Sequence, residues 1–370
     1  MALTFMEYLE NSKYYQSFVT KLSPLLTEPK FSQYLSPMYN KTKNWQGVEA
    51  VIGRIPMASL VDEHSGRPLI GTAKPASIMG KLPTFGNSVT FSSDDLDQIE
   101  EMEEQIRRNV IQPDMLIEFL ITRYMDILAG GPLTTIDKLM FEAWSNGTCT
   151  IAAADNLAKL PLQIDWEIQK YHVAHVWSDT ANATPLADID NFCKKIEEDL
   201  NFEADTITLN KKESRKVLAA ASTKAAITSY LQQGAGSIKI TGMPSPDNVN
   251  LILTGQYNIP SLSILNHKID IFDEDGITVK STIDAFQNGR VAATLGTELG
   301  YFMYTPAAEQ KRPDKNKTYA NAPSEVLLAS ETRNGSVYME STLNAIPVLT
   351  IRKKMAILVT DDTTTGSALV

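Results

Sequence analysis

The order of the predicted elements indicates an α+β fold. Helical and strand-like patterns are both present, and they are grouped: a hairpin, two helices, a mixed segment, and then strands that return to a sheet begun near residue 148. The chain has 370 residues, of which 43% are hydrophobic and 21% are charged, and this balance is typical of a globular protein with a substantial core. The length suggests two domains, or one domain with large excursions.

Bulk composition limits the classes of function. No apolar run approaches the roughly 18 residues of a membrane-spanning helix, and the first residues lack the basic start and apolar run of a signal peptide. Cys149 and Cys193 are the only cysteines, which favours a reduced cytosolic setting. The formal net charge of −10 argues against dedicated nucleic-acid binding, which requires a basic face.

The first 91 residues are predicted to project rather than to build a core. Residues 1–45 contain aromatic residues and leucines, but Pro24, Pro29 and Pro37 interrupt every pattern, so this segment is expected to become ordered by lying along something else. Residues 46–91 predict a long hairpin, with strands in "GVEAVIGRIPMASL" and "SIMGKLPTFGNSVTF". Because a two-stranded excursion is marginally stable alone, an arm on a neighbouring subunit is favoured over a hairpin folded back on its own domain.

Two helices are predicted next. Ser93 is the expected N-cap of the first, which has an apolar stripe on one face and "EEMEEQIRR" on the other. Pro113 is expected to kink or restart this helix. The second helix is predicted to begin at Thr134 or Thr135 and to end at Gly147.

The two histidines of "YHVAHVWSDT", His172 and His175, raise the question of a metal site. The surrounding β-formers predict a strand, on which residues three apart face opposite sides, so the two imidazoles are not expected to share a metal. Residues 270–276, "DIFDEDG", resemble part of a calcium loop but lack its spacing and have Ser281 in place of the closing glutamate. No metal and no cofactor are therefore predicted.

Signatures of catalysis are missing from the sequence. There is no Gly-x-Ser-x-Gly elbow, no dinucleotide-binding fingerprint and no phosphate-cradling Gly-Lys-Ser/Thr loop. The sequence therefore predicts a protein that is not an enzyme and has no catalytic residues.

The second half of the chain mixes helices and strands. Thr184 is a predicted N-cap with Pro185 in the first helical turn. The buried stripe of this helix is predicted to comprise Ile189, Phe192, Ile196 and Leu200. "NVNLILTG" is predicted as a strand, Asp275-Gly276 as the turn of a hairpin, and the chain is expected to end in strands and a polar tail.

Several stretches in this order resemble the major capsid proteins of tailed bacteriophages, in particular the lambda-like major capsid protein E group, which has the Hong Kong 97 phage capsid fold. Residues 76–102 are similar to the return strand of the family's extended loop running into its spine helix, and residues 177–218 look like the start of its axial domain. Residues 286–306 resemble the segment near the capsomer axis, and residues 336–359 resemble the closing strands of the peripheral domain.

The resemblance implies an α+β phage major capsid fold with an N-terminal arm, an extended β-hairpin loop, a long spine helix, and peripheral and axial domains. The implied boundaries are 1–45 for the arm, 46–91 for the extended loop, 92–178 for the peripheral domain with the spine helix, 179–330 for the axial domain, and 331–370 for the closing peripheral strands and tail.

The implied function is self-assembly into hexamers and pentamers that form an icosahedral phage head enclosing double-stranded DNA. The implied location is the virion, after assembly in the host bacterial cytoplasm. Besides further copies of the chain, the implied partners are a portal, decoration or head-completion proteins, and a separate scaffolding protein, since residues 1–45 are too few for a fused scaffolding domain. The DNA is enclosed without sequence-specific binding, and no membrane is involved.

Contacts between subunits are predicted to join hairpin cations to acidic residues of a neighbour's spine helix. These residues are Arg54, Arg67, Lys74 and Lys81 on the hairpin and Glu100, Glu101, Glu103 and Glu104 on the helix. The alternative is that these charges are merely solvated. Crosslinking members of the family use a lysine in the extended loop, but nothing identifies a partner for Lys74 or Lys81, so no crosslink is predicted.

Two other functions remain open. An encapsulin-like nanocompartment shell has the same fold and would require a cargo. A cytosolic hydrolase is an alternative of a different class, and His172 or His175 would be the first candidate for its catalytic base.

Overall fold

The structure, a computed structural model, describes residues 4–26, 28–49, 76–153, 159–232, 244–272 and 279–369. In these ranges the α-helices are α1 (Phe5–Leu9), α2 (Ser12–Leu22), α3 (Ser93–Arg107), α4 (Pro113–Leu120), α5 (Gly131–Asn146), α6 (Pro185–Leu200), α7 (Lys211–Ala219), α8 (Ala221–Gln232), α9 (Pro246–Ile252) and α10 (Ala308–Lys311). Two π-helical segments follow α4 and α9, at Ile121–Gly130 and Leu253–Tyr257. Short 3₁₀ turns include Ser23–Leu25, Lys30–Gln33, Pro323–Glu325 and Arg352–Lys354.

The described strands form two large sheets and three two-stranded ribbons. They are β1 (Leu35–Tyr39), β2 (Asn44–Glu49), β3 (Ala76–Lys81), β4 (Thr84–Phe85), β5 (Ser88–Phe91), β6 (Thr148–Ile151), β7 (Leu162–Asp165), β8 (Gln169–His172), β9 (Thr206–Asn210), β10 (Leu262–Leu265), β11 (Lys268–Phe272), β12 (Val279–Asp284), β13 (Arg290–Thr294), β14 (Gly300–Thr305), β15 (Thr318–Asn321), β16 (Leu327–Arg333), β17 (Ser336–Leu349), β18 (Met355–Val359) and β19 (Ser367–Ala368).

One sheet is built around the long strand β17. Its order is β1-β14-β17-β16-β15, and β4 and β5 pair with other parts of β17. Buried and more exposed residues alternate in the first half of β17, whereas residues 343–349 are all buried. This change indicates that one face of the strand is open to solvent near its start and that both faces are covered toward its end. Helix α5 packs on β17 and buries Ile136, Leu139 and Met140.

The other large sheet lies between two hydrophobic cores. Its order is β10-β9-β13-β18-β8-β19. Successive residues of a strand face opposite sides; accordingly Val291 and Leu358 belong to one core, and their neighbours Ala292 and Ile357 belong to the other. Helix α6 connects the parallel strands β8 and β9, and its predicted stripe is confirmed as buried except for the partly exposed Leu200.

The N-terminal segment folds onto its own chain. Thr4 caps α1 in a reciprocal capping box with Glu7, and Asn11 caps α2. The apolar side chains that these helices bury are Phe5, Leu9, Tyr15, Val19 and Leu22. Strand β1 then joins the sheet in parallel beside β14. The described part of residues 1–45 thus becomes ordered by lying along the rest of its own chain. Pro24 falls at a helix boundary where a missing N–H removes no bond.

The predicted hairpin is described only at its base. Strands β2 and β3 pair antiparallel, with Asn44 opposite Lys81 and Glu49 opposite Ala76. Residues 50–75 lie outside the described part of the chain. The second strand is shorter than predicted, because residues 84–91 leave the ribbon and pair with β17 as β4 and β5.

The long helix begins one residue earlier than predicted. Ser92, not Ser93, is the N-cap, and it forms a capping box with Asp95. The predicted restart at Pro113 is confirmed by α4. Helix α5 begins at Gly131, earlier than predicted, and ends as predicted at a left-handed Gly147.

Two other segments differ from their prediction. Strand β8 ends at His172, and the residues beyond it form turns, so His175 is not on a strand. The run "NVNLILTG", predicted as a strand, forms α9 and the π-helical segment after it, with Ser245 as N-cap and Pro246 in the first turn. The predicted hairpin of β11 and β12 is confirmed by their antiparallel pairing, while its turn lies outside the described residues.

Candidate interaction surfaces

Of the hairpin cations predicted to contact a neighbour, the structure describes Lys81. This side chain lies at the base of the β2–β3 ribbon, beside the exposed Gly80. Arg54, Arg67 and Lys74 lie outside the described residues. Lys43, on the other side of the ribbon base, donates a hydrogen bond to Thr84 at 2.7 Å and was not predicted.

The acidic face of α3 is partly satisfied within the helix. Glu100, Glu101 and Glu104 are exposed. Gln105 donates to Glu101 at 3.1 Å, and Arg108 pairs with Glu104, both at the (i, i+4) spacing that brings side chains together on a helix. Exposed pairs of this kind contribute little to stability, so these carboxylates remain available to a cation of another subunit.

Glu103 has a role inside its own subunit. Its side chain is 14% exposed, and its carboxylate accepts the backbone N–H of Phe5 at 2.7 Å, at the start of α1. The negative charge therefore lies at the positive end of a helix. Burial raises the pKa of Glu103, and the Phe5 bond and Arg107 oppose that shift. Contact of the other three glutamates with a neighbour's hairpin stays a prediction.

An open groove of about 440 Å³ separates α1 from α3. Its apolar part is provided by Phe5, Met6 and Ile99, and its rim by charged residues of α3 that include Glu100 and Arg107. Because charged residues of α3 line this groove, the predicted acidic contact face of α3 lies beside the folded N-terminal segment.

The edge strand β1 exposes an apolar surface that the sequence patterns did not reveal. Met38 is 43% exposed and Tyr39 is 55% exposed, and β1 pairs with β14 on one side only among the described strands. Tyr301 of β14 is also exposed. An open strand edge with exposed apolar side chains is suited to pairing with another chain.

The two candidate histidines do not form a site. His175 is exposed in the turn after β8, whereas His172 is partly buried at the end of that strand. Within the described ranges, no three His, Cys, Asp or Glu side chains are grouped as metal ligands. The helices described are also too short or too polar to cross a bilayer.

We expect His172→Ala and His175→Ala to leave any ability of the protein to assemble unchanged, with at most a folding defect in the partly buried His172→Ala. The reason is that, among the described residues, neither imidazole belongs to a group of three or more side chains that could hold a metal ion. Particle size by light scattering and melting temperature provide the check. A hydrolytic activity of the parent protein that both variants lose would instead support the hydrolase alternative.

The "WSD" sequence at residues 177–179 organises the start of α6. The buried indole N–H of Trp177 donates to Asp188 at 2.8 Å, and Thr184 donates to the same carboxylate at 3.2 Å. Asp179 accepts from Asn182 at 2.7 Å. Burial raises the pKa of Asp188, and its two side-chain donors oppose the shift. Each of these polar groups is satisfied locally, so this cluster serves the fold.

Comparisons with known proteins identify the architecture. No family model and no curated protein matches the sequence. Among solved structures, a protein assigned as the capsid protein of a prophage in Escherichia coli CFT073 matches with a TM-score of 0.55 and 12% identity, over 94% of this chain and 98% of the other.

Two more distant structures were also found. A phage-related protein from Bordetella bronchiseptica RB50 has a TM-score of 0.45 and 9% identity, over 93% of this chain and 96% of the other. An encapsulin from Synechococcus elongatus PCC 7942 has a TM-score of 0.39 and 10% identity, over 93% of this chain and 91% of the other. The match with the prophage protein, together with the mixed helices and sheets described above, shows that this chain has the phage major capsid fold.

Proposed function

We propose that this chain is a major capsid protein that self-assembles into hexamers and pentamers and forms an icosahedral phage head around double-stranded DNA. The observation that carries the proposal is the fold, which extends over 94% of this chain and 98% of the prophage protein. In this proposal the protein acts by its geometry and not as an enzyme.

Three described surfaces that a single subunit leaves uncovered support the proposed assembly. The β2–β3 ribbon pairs with no other described strand, and a two-stranded ribbon is marginally stable alone. The edge of β1 and the acidic face of α3 are likewise exposed to solvent in a single subunit. Neighbouring copies in a shell would cover these surfaces through many contacts of modest size, which together give a durable container.

The remaining partners follow from the same proposal. A separate scaffolding protein, a portal and decoration or head-completion proteins would complete a head assembled in the host bacterial cytoplasm. Hairpin cations, including Lys81, would meet Glu100, Glu101 and Glu104 of a neighbour. The net charge of −10 suits a wall that encloses DNA without binding it tightly.

The native size of the purified protein tests the proposal. We expect light scattering at high protein concentration to report particles of megadalton mass, and negative-stain electron microscopy to show rings or closed shells. A stable monomer or dimer, even in the presence of a candidate scaffolding protein, would contradict it.

The contents of the shells separate a phage head from an encapsulin-like compartment. We expect shells isolated from cells that carry the complete phage genome to protect DNA from added nuclease. Shells that contain a single cargo protein and no protected DNA would support the encapsulin alternative.

A further inference from the structure

Helix α6 ends in acidic residues, which is the electrostatically unfavourable arrangement. Its last turn contains Glu197, Glu198 and Asp199 and no basic residue. The C-terminal end of a helix is already partially negative, so each carboxylate is repelled by its own helix. Glu203 and Asp205 follow and are exposed. We call these five residues the acidic cluster.

Helix α7 begins with the opposite arrangement, which is also unfavourable. Lys211 and Lys212 occupy its first turn together with the buried Glu213, Arg215 lies one turn further on, and Lys216 is in the last turn. The N-terminal end of a helix is partially positive and favours anions. We call these four residues the basic cluster. Both helix ends therefore have charges that a partner of opposite sign would compensate.

Contacts within the subunit neutralise only part of the acidic cluster. Glu198 pairs with Lys195 at 3.4 Å, and Asp199 accepts the hydroxyl of Tyr171 at 3.0 Å. Glu197, Glu203 and Asp205 form no ion pair with a described residue. Three carboxylates are thus left to solvent or to another chain.

The basic cluster has the same mixture of paired and unpaired charges. Lys212 pairs with Asp284 at 2.6 Å, and Lys216 pairs with Glu213 at 2.6 Å. Lys211 and Arg215 are exposed and form no ion pair with any residue of the described ranges.

The connection between the clusters keeps them apart. Strand β9, Thr206–Asn210, runs directly from the last residue of the acidic cluster to the first residue of the basic cluster. At about 3.3 Å per residue, the six steps from Asp205 to Lys211 span roughly 20 Å. The ion pairs described for the two clusters are all with residues outside the opposite cluster, and the ends of the two clusters nearest in sequence lie at opposite ends of one strand.

We infer that the basic cluster of one copy docks on the acidic cluster of the next copy. This inference rests on the proposed function and names one of its contacts. The two surfaces differ, so the contact is heterologous, and in the proposed capsomers its head-to-tail repetition forms the ring. Ile264, 36% exposed on the edge strand β10 and opposite Leu209 of β9, adds apolar surface beside the basic cluster.

Charge reversal tests the contact. One variant combines Lys211→Glu with Arg215→Glu, and the other combines Glu197→Lys with Glu203→Lys. We expect each to reduce the assembled fraction by at least about tenfold, because like charges would then face each other across the contact. The four substitutions together in one chain should restore assembly, because the contact then has opposite charges again.

The same variants also distinguish a folding defect from the loss of the contact between copies. Lys211→Glu in the first turn of α7 and Glu197→Lys in the last turn of α6 match the helix dipoles better than the natural residues do, and the other two positions, Arg215 and Glu203, are exposed. The melting temperature of each variant should therefore be unchanged or raised while assembly is lost. Lys13→Glu combined with Lys315→Glu, two exposed cations elsewhere, changes the net charge by the same amount and should assemble normally.

Mixing the two double variants gives a stricter test. Among the cluster residues that form no ion pair within the subunit, one variant is mainly basic at both surfaces and the other is acidic at both, so alternation of the two around a ring is favoured. Six-membered rings allow alternation and should form, whereas five-membered rings cannot alternate and should be missing, so closed shells should not appear.

The possible outcomes separate this inference from the proposed function. If the parent chain forms rings or shells and the reversed variants do so equally well at low salt, the clusters are solvated, this inference is wrong, and the proposed function stands. If the parent chain forms no assemblies, the proposed function fails and this contact with it.

Discussion

Replacing Glu213 with alanine is expected to lower the free energy of unfolding by about 3–5 kcal/mol, because two buried donors lose a charged acceptor at roughly 1–3 kcal/mol each. The side chain of Glu213 is fully buried. One carboxylate oxygen accepts the N–H of Gly289 at 2.8 Å and the ammonium of Lys216 at 2.6 Å, and the other accepts the hydroxyl of Thr360 at 2.9 Å.

The position of these donors explains the large effect. Gly289 precedes β13 and Thr360 follows β18, so the carboxylate ties α7 to the ends of two central strands. Alanine would leave a buried N–H and a buried hydroxyl without an acceptor, and both would keep their full desolvation cost. Lys216 is 30% exposed and can turn toward water, so its loss of a partner is the smaller part of the effect.

Denaturant unfolding of the parent and variant proteins provides the measurement. Glu213→Gln keeps an acceptor oxygen and the side-chain volume, and should cost only about 1–2 kcal/mol. Lys212→Ala, on the same helix, removes a more exposed ion pair with Asp284 and should cost under about 1 kcal/mol. Similar losses for Glu213→Ala and Lys212→Ala would show that the buried carboxylate is not the anchor of α7.

Local signals in the sequence predicted much of the fold. The Thr184-Pro185 start and the regular apolar spacing of α6 correctly indicated a buried helix. The prediction of a strand for "NVNLILTG" is wrong, because a short apolar run fits a strand and a buried helix equally well. Ser245 and Pro246 just before it are the cap and first-turn signals that distinguish the two, and the structure uses both.

The sequence predicts the candidate interaction surfaces less completely than it predicts the helices and strands. Exposure of Glu100, Glu101 and Glu104 follows from helical spacing, but the bond from Phe5 to Glu103 joins residues 98 positions apart. The bond from Thr360 to Glu213 joins residues 147 positions apart. No periodicity shows such pairs, because buried carboxylates find donors from whichever elements the tertiary fold brings beside them.

The second large effect is expected at Asp137, a 4% exposed residue of α5 that holds the N-terminal segment. Its carboxylate accepts the backbone N–H of Phe31 at 2.6 Å and that of Lys30 at 3.1 Å, and His267 lies 3.8 Å away. Asp137→Ala should lower the free energy of unfolding by about 2–3 kcal/mol, because two N–H groups lose a charged acceptor.

The pH dependence of this contact has a definite sign. Burial raises the pKa of Asp137, while the N–H donors of Lys30 and Phe31 and the charges of His267 and Lys30 oppose that shift. A raised pKa means that the folded protein holds this proton more tightly than the unfolded chain does. The contribution of Asp137 to the free energy of unfolding is therefore highest below its ordinary pKa, and it falls as the pH rises through the folded-state pKa.

Amide hydrogen exchange would separate a local tether from a general loss of stability. In Asp137→Ala, the amides of Lys30 and Phe31 should lose more protection than the buried strand β18, because the N-terminal segment loses its connection to α5 while the sheet keeps its own bonds. Asp126→Ala is a suitable control, since Asp126 is an exposed aspartate of the preceding π-helical segment. It should leave the protection of residues 30 and 31 unchanged. Equal loss of protection in the N-terminal segment and β18 would mean that Asp137 stabilises the whole core and that the N-terminal segment is held by its apolar side chains instead.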